Sequence, residues 1–139
     1  MSLYVLDTDT LTLYRAGHSQ VCQHVLNHAP DELAVTVISV EEQISGWYRL
    51  LRRARRRDQL ARAYEKLART VQFYAERRML SFSESAIERF ERLKASKLGV
   101  GSMDLRIAAI TLEHGGTLVT RNMRDFGRVP GLAIQDWTQ

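Results

Sequence analysis

Three short apolar segments of this chain each lead into an acidic residue at or near the start of a predicted helix. The segments span residues 3–6, 33–40 and 117–119. The acids that follow them are Asp7, Glu42 and Asp125. Apolar runs of this kind, separated by helical stretches, predict buried parallel strands. Together with shorter apolar stretches at residues 79–82 and 132–134, they predict an α/β fold whose central sheet has about five mostly parallel strands.

A fourth acid, Asp104, lies in the first turn of a helix predicted from Ser102 to Glu113. The carboxyl ends of parallel strands open into one crevice, so the four acids are expected to converge there. Carboxylates that are forced together repel one another, and burying them without compensation is costly. Such a cluster usually holds a divalent cation, so the pattern predicts a metal-dependent enzyme.

Taken one at a time, these acids also have ordinary structural interpretations. Ser39 and Glu42 have the spacing of a capping box, with Ser39 opening a long helix. Asn122 and Asp125 have a looser version of that spacing, and a helix dipole favours an acid at Asp104. Helix capping does not require an acid after three strands and another on the helix beside them, so the joint pattern favours a metal site.

Length and composition predict one soluble domain over residues 1–139. The only cysteine, Cys22, excludes an intramolecular disulfide, and Asp7 interrupts any signal-peptide core near the start. No apolar stretch approaches the roughly 20 residues of a membrane span. We therefore expect a cytoplasmic protein that does not enter a membrane.

The net charge of +4 conceals a basic segment, because residues 47–80 hold 11 Lys and Arg against 3 Asp and Glu. Residues 47–78 are predicted to form a pair of helices joined near Asp58. A run of arginines is expected on one helical face: Arg49, Arg52, Arg53 and Arg56. Such a run is often only a solvated face. Its one-sided charge favours contact with a nucleic acid or an acidic partner.

Five motifs in order resemble those of PIN-domain nucleases, specifically the VapC-like toxins of toxin–antitoxin pairs. The resemblance covers nearly the whole chain. The residues Leu6-Asp7-Thr8-Asp9 resemble the family's opening strand with its first acid. Its second motif is a Glu followed four residues later by Gly, which selects Glu42 over Glu41. The remaining motifs run from Gly101 to Ala109, from Thr120 to Phe126 and from Val129 to Trp137.

The resemblance implies a PIN-like three-layer α/β/α sandwich and an endoribonuclease that cleaves RNA with a metal-activated water. The implied ligands of Mg²⁺ or Mn²⁺ are Asp7, Glu42, Asp104 and Asp125. Residues implied to support those ligands or position the substrate are Thr8, Ser39, Thr120 and Asn122. The arginine run is expected to contact RNA or a cognate antitoxin, and the protein is expected to be a homodimer. Whether one or two metal ions bind stays open.

Several alternatives remain at the level of sequence. Asp9 can be a helix cap, which we favour, or a further metal ligand. A catalytically inactive PIN-like module that binds RNA or a protein partner would share the fold. Asp7-Thr8-Asp9 also mimics the nucleophile motif of haloacid-dehalogenase-like phosphotransferases, although Leu11 stands where a Thr is expected. His24 and His28 have metal-pair spacing, but no nearby Glu completes a zinc motif, so a surface role is favoured.

Overall fold

A five-stranded parallel sheet forms the centre of the protein in the computed structural model, which describes residues 2–139. The strands are β1 (Tyr4–Leu6), β2 (Leu33–Thr36), β3 (Met79–Leu80), β4 (Thr117–Val119) and β5 (Ala133–Gln135). Their order across the sheet is β3-β2-β1-β4-β5, and every neighbouring pair runs parallel. Because β1 lies between β2 and β4, the residues that follow these three strands are brought side by side.

Seven helices connect the strands in the described part of the chain. They are α1 (Thr8–Arg15), α2 (Ser19–Leu26), α3 (Val37–Arg53), α4 (Arg57–Ala75), α5 (Glu84–Ala95), α6 (Ser102–Glu113) and α7 (Met123–Phe126). A short 3-10 turn, Pro30–Glu32, leads into β2. The predicted bounds of α6 are confirmed, and Ser83 caps α5 as expected, with its Oγ accepting from the Ala86 amide.

Two apolar clusters cover opposite faces of the sheet, because successive strand side chains point in opposite directions. Val5 of β1 packs into one cluster with residues of α5 and α6 such as Phe90 and Ile107. Its neighbour Leu6 packs into the other, with Leu11 of α1 and Tyr74 of α4. The α/β/α arrangement predicted from the sequence is therefore confirmed.

The second strand is shorter than the sequence predicts. Its expected range of 33–40 is wrong at the carboxyl end, since β2 stops at Thr36 and α3 begins at Val37. Thr36 caps α3, with its Oγ1 accepting from the Ser39 amide at 3.2 Å. Ser39 is therefore already inside the helix. The local β propensity of Val37 and Ile38 is overridden by the tertiary packing of α3 against the sheet.

The basic helical pair consists of the carboxyl half of α3 and the whole of α4. The two helices pack side by side and are joined at residues 54–56, slightly before the junction predicted near Asp58. Within residues 2–139, no helix combines the length and apolar character needed to cross a membrane.

Candidate metal centre

Asp7 follows β1 directly and is buried, with 7% of its surface exposed. Its carboxylate caps α1 by accepting from the Thr10 amide at 2.8 Å. Burial raises the pKa of Asp7, because an ionised carboxylate loses favourable hydration. Hydrogen bonds from Thr120 and Thr10 oppose that rise, and the charge of Asp9 adds to it. No positive charge is among these influences on the pKa of Asp7, so no cationic side chain offsets the cost of burying the ionised carboxylate.

Glu42 lies on α3, on the side that faces the start of α1. Its Oε1 accepts a hydrogen bond of 2.6 Å from Thr8 Oγ1. Thr8 Oγ1 also lies 2.8 Å from Ser39 Oγ. Since the Thr8 proton is directed to Glu42, the Ser39 hydroxyl is left to donate to Thr8. The two hydroxyls thus form a relay that holds the Glu42 side chain in one orientation.

This geometry corrects the capping interpretation of Glu42. Thr36, not Ser39, is the N-cap of α3, so Ser39 and Glu42 do not form a capping box. Instead, Glu42 is bound by a side chain 34 residues away in sequence.

Asp104 lies in the first turn of α6, whose cap, Gly101, contributes no side-chain hydrogen bond. Among residues 2–139, its carboxylate has no hydrogen-bond or ion-pair partner. Burial, then the negative charges of Glu42, Asp7 and Asp125, raise the pKa of Asp104 to about 6. The carboxylates of three other elements therefore act together on one partly buried acid. A bound cation would reverse this effect by favouring the ionised form.

Asp125 is held in place by hydrogen bonds within its own turn. Asn122 Nδ2 donates to Asp125 Oδ2 at 3.1 Å, and the Asp125 amide donates to Asn122 Oδ1 at 3.3 Å. The predicted capping relationship between these residues is therefore present. Arg128 Nη1 lies 3.8 Å from Asp125 Oδ1. Thr120 is fully buried beneath the turn and accepts from the Asn122 amide at 3.0 Å.

A cavity of about 660 Å³ lies where these elements meet, beyond the carboxyl ends of β1 and β4. It is lined by Asp7, Thr8, Asp9, Thr12, Glu42, Asp104, Arg121, Asn122 and Phe126. The structure thus brings three of the four predicted acids to one cavity. Asp125 is not among the lining residues and acts on the cavity through its charge and through Asn122.

A second cavity, of about 460 Å³, lies between α1, α2 and β2. Its lining is mainly apolar, with Leu11, Val25 and Leu33 among its residues. It contains no pair of carboxylates that could share a cation, so its chemistry does not match a metal centre. We therefore identify the acidic cavity as the candidate site.

The donor set decides which metal the acidic cavity suits. Asp7, Glu42 and Asp104 line one cavity, but within the described residues no three His, Cys, Asp or Glu side chains lie close enough together to enclose an ion by themselves. This arrangement of side chains does not suit a structural zinc site, which encloses its ion with four protein ligands. Mg²⁺ usually binds through one or two carboxylates and retains several waters. Partly buried carboxylates in an open cavity fit that coordination.

Asp9 lines the acidic cavity but does not cap a helix. The N-cap of α1 is Asp7, so our interpretation of Asp9 as the cap was wrong. Asp9 lies in the first turn of α1 and forms an ion pair with Arg121. Arg121 is the charged lining residue that sequence reasoning missed. Its position directly after Thr120, where β4 ends, was the available signal.

The remaining predicted residues fall into two groups. Arg49, Arg52 and Arg53 are exposed near the end of α3, but Arg56 lies beyond that helix as the N-cap of α4 and pairs with Asp58. The prediction that Arg56 shares their helical face is therefore wrong. His24 and His28 do not form a metal pair, since both stack on Trp137, with ring centroids 5.1 and 4.8 Å away.

The chain is similar in sequence to known proteins over almost its full length. The family model of the PIN domain matches residues 4–132. Ribonuclease VapC1 of Haemophilus influenzae strain R2866 is 28% identical over 144 residues, covering 99% of each chain.

Solved structures have the same fold. A chain in the structure of DNA-bound VapBC from Salmonella typhimurium has a TM-score of 0.79 at 25% identity, with 99% of each chain covered. A chain of VapBC-1 from nontypeable Haemophilus influenzae has a TM-score of 0.77 at 26% identity, again with 99% of each covered. With the family model spanning most of its residues, this chain belongs to the PIN-domain family.

Proposed function

We propose that this protein is a Mg²⁺- or Mn²⁺-dependent endoribonuclease and the toxin of a toxin–antitoxin pair. The observation that carries the proposal is the convergence of Asp7, Glu42 and Asp104 on one cavity, where their charges act on one another. The similarity to ribonuclease VapC1 supports RNA as the substrate. Membership of the PIN family weighs against the haloacid-dehalogenase alternative, as does the engagement of Asp9 by Arg121.

The four acids are the proposed metal ligands, and their positions relative to the cavity differ. Asp7, Glu42 and Asp104 line the cavity, while Asp125 acts through its charge and through its hydrogen bond with Asn122. When bound, a divalent cation would supply activation of water and neutralisation of the charge that develops on the phosphate.

Around these acids, hydroxyl and amide groups keep the carboxylates in place. Thr8 and Ser39 orient Glu42, Asn122 orients Asp125, and Thr120 supports both Asp7 and the Asn122 turn. Partners of this kind set the orientation of a metal ligand and are needed for full affinity.

The exposed arginines of the helical pair give the proposed RNA a second point of contact. Glu42 and Arg52 lie on the same helix ten residues apart, which places them about 15 Å apart along its axis. Arg49, Arg52 and Arg53 have no ion-pair partner within residues 2–139, so their charges are available to phosphates. Arg56, paired with Asp58, is proposed as a weaker contact.

The protein is further proposed to act in the cytoplasm as a homodimer, with residues 1–139 forming one domain and a cognate antitoxin as its inhibitor. Similar chains have been crystallised as VapBC complexes, which supports an antitoxin partner. Because an antitoxin and RNA could use the same basic surface, inhibition would follow from occupancy of that surface.

The proposal is tested by incubating total cellular RNA with the purified protein in Mg²⁺ or Mn²⁺. Discrete fragments are expected, and they should be absent with EDTA and with Asp7→Asn, which can still cap α1 but carries no charge. Mapping the fragment ends would then identify the substrate. Intact RNA, together with retained RNA binding, would contradict the proposal and support an inactive binding module.

A further inference from the structure

One cation faces the acidic cavity among the nine residues that line it, and that cation is Arg121. Four of the other lining residues are acids, namely Asp7, Asp9, Glu42 and Asp104. A phosphate that enters this cavity meets strong repulsion except where positive charge offsets it. Arg121 is therefore the lining residue whose chemistry is complementary to a phosphate rather than to a metal ion.

The Arg121 guanidinium is held at the cavity by Asp9. Arg121 Nε donates to Asp9 Oδ2 at 2.6 Å, and Arg121 Nη2 donates to Asp9 Oδ1 at 3.4 Å. The contact joins residues 112 positions apart and links the first turn of α1 to the loop after β4. The two-pronged geometry is the one that guanidinium groups also use to bind phosphates.

This ion pair is poorly suited to a purely stabilising role. The Arg121 and Asp9 side chains are 53% and 49% exposed. Exposed ion pairs of this kind contribute little to stability, since water screens their attraction and ordering both side chains costs entropy. A pair that is accessible to solvent is also accessible to a competing anion.

Other arginines near the two cavities contact backbone carbonyls or aromatic rings instead of a carboxylate at the acidic cavity. Arg128 donates to the Gly99 carbonyl at 3.2 Å and is not among the residues that line the acidic cavity. Arg77 at the apolar cavity lies 3.7 Å from the centre of the Phe73 ring and donates to the Phe73 carbonyl. Arg121 is instead bound to a single exposed carboxylate, from which it can be released without breaking a buried contact.

We propose that Arg121 is a positioning residue that binds a phosphate of the RNA at the mouth of the acidic cavity, and that Asp9 holds its guanidinium there until the phosphate replaces it. This inference rests on the proposed nuclease function. It assigns Asp9 the role of a competitor for Arg121 and not that of a metal ligand.

The two roles for Asp9 predict opposite effects of Asp9→Asn. If Asp9 competes with phosphate, the substitution frees Arg121 and strengthens RNA binding. That increase should shrink when Arg121 is also replaced, because the two residues act through one interaction. If Asp9 is a metal ligand, the same substitution weakens Mn²⁺ binding and does so whether or not Arg121 is present.

The test measures binding of a fluorescein-labelled, mixed-sequence single-stranded RNA by anisotropy, in Ca²⁺ and over a range of salt concentrations. Arg121→Gln is expected to weaken binding about 10- to 100-fold. The salt dependence of log K should fall by about 0.7, as it does when one phosphate is no longer neutralised by the protein. Arg121→Lys should retain part of the affinity, because it keeps the charge but not the planar fork.

Arg124→Gln is the matched control, since Arg124 is an exposed arginine of the same segment that does not line the cavity. Thermal melting of every variant checks that the fold is retained. Equal effects of Arg121→Gln and Arg124→Gln would overturn the proposal, as would loss of Mn²⁺ affinity in Asp9→Asn or an absence of RNA binding by the unsubstituted protein. The binding test is separate from nuclease activity, which is read from cleavage by the unsubstituted protein in Mn²⁺.

Discussion

Thr8 Oγ1 donates a hydrogen bond of 2.6 Å to Glu42 Oε1 and so connects the helix after β1 to the helix after β2. The contact requires both helices to begin where they do, since Thr8 is the first residue of α1 and Glu42 lies in the second turn of α3. Ser39, one turn before Glu42, completes the connection by contacting Thr8 at 2.8 Å. The orientation of one proposed metal ligand therefore depends on two elements distant in sequence.

Thr8→Val is expected to lower Mn²⁺ affinity or nuclease activity about 10- to 100-fold, the usual effect of removing a group that orients a metal ligand. Valine has nearly the same shape as threonine but cannot donate to Glu42. Calorimetric titration with Mn²⁺ would measure the affinity. Thr117→Val, at the opposite end of the sheet, serves as the isosteric control, and equal affinities of the two variants would contradict the assigned role of Thr8.

Glu42→Gln and Glu41→Gln form a matched pair that separates a metal ligand from an ordinary surface acid. Glu42 lines the cavity, whereas Glu41 is exposed beside it. Both changes remove one negative charge from the same turn of α3. We expect RNA cleavage to fall by at least about 100-fold in Glu42→Gln and to be nearly unchanged in Glu41→Gln. Similar rates for the two variants would show that the register of the motif had been misassigned.

Because the pKa of Asp104 is raised, we expect the stability of the metal-free protein to depend on pH. Burial and the charges of Glu42, Asp7 and Asp125 raise its pKa in the folded protein from 3.8 to about 6. The folded state therefore binds the proton more tightly than the unfolded chain, so this contribution to stability is present below about pH 4 and is lost as the pH rises to about 6. Its expected size is on the order of 1–2 kcal/mol, given the partial exposure of Asp104.

Urea unfolding in EDTA at several pH values between 4 and 7 would measure this effect. Asp104→Asn is the control, because it removes the titrating group and leaves other acids in place. The difference in unfolding free energy between the two proteins should change across this pH range. A constant difference would show that Asp104 does not titrate as the geometry requires.

Arg52→Gln combined with Arg53→Gln is expected to raise KM for RNA with little change in kcat. These exposed side chains lie away from the acidic cavity, so they can contact only phosphates that are remote from the bond being cleaved. The salt dependence of log K for RNA binding should fall by about 0.7 for each arginine that binds a phosphate in the unsubstituted protein. Replacing Arg92 and Lys94 of α5 by Gln removes the same charge on a different helix. An equal rise in KM in that control would indicate a general charge effect rather than RNA binding at the helical pair.

The sequence alone was sufficient to predict the parallel α/β fold and the number of strands, and it pointed to four acids of which three line one cavity. These features depend on local patterns, because apolar runs separated by amphipathic helices have few other ways to bury their apolar faces. The start and end of α6 were predicted correctly because Gly101, Ser102 and the two glycines after His114 are strong local signals.

The parts that were predicted wrongly depend on contacts between residues far apart in the chain. The end of β2 is decided by how α3 packs against the sheet. The function of Ser39 and the binding of Glu42 by Thr8 are decided by how α3 packs against α1. The pairing of Asp9 with Arg121 joins positions 112 residues apart, which no local spacing reveals. The sequence thus determined which chemical groups are present and which strand ends they follow. Only the tertiary structure decided which of them share a hydrogen bond, a charge or a cavity, because those interactions depend on distances that the chain sets when its elements pack together.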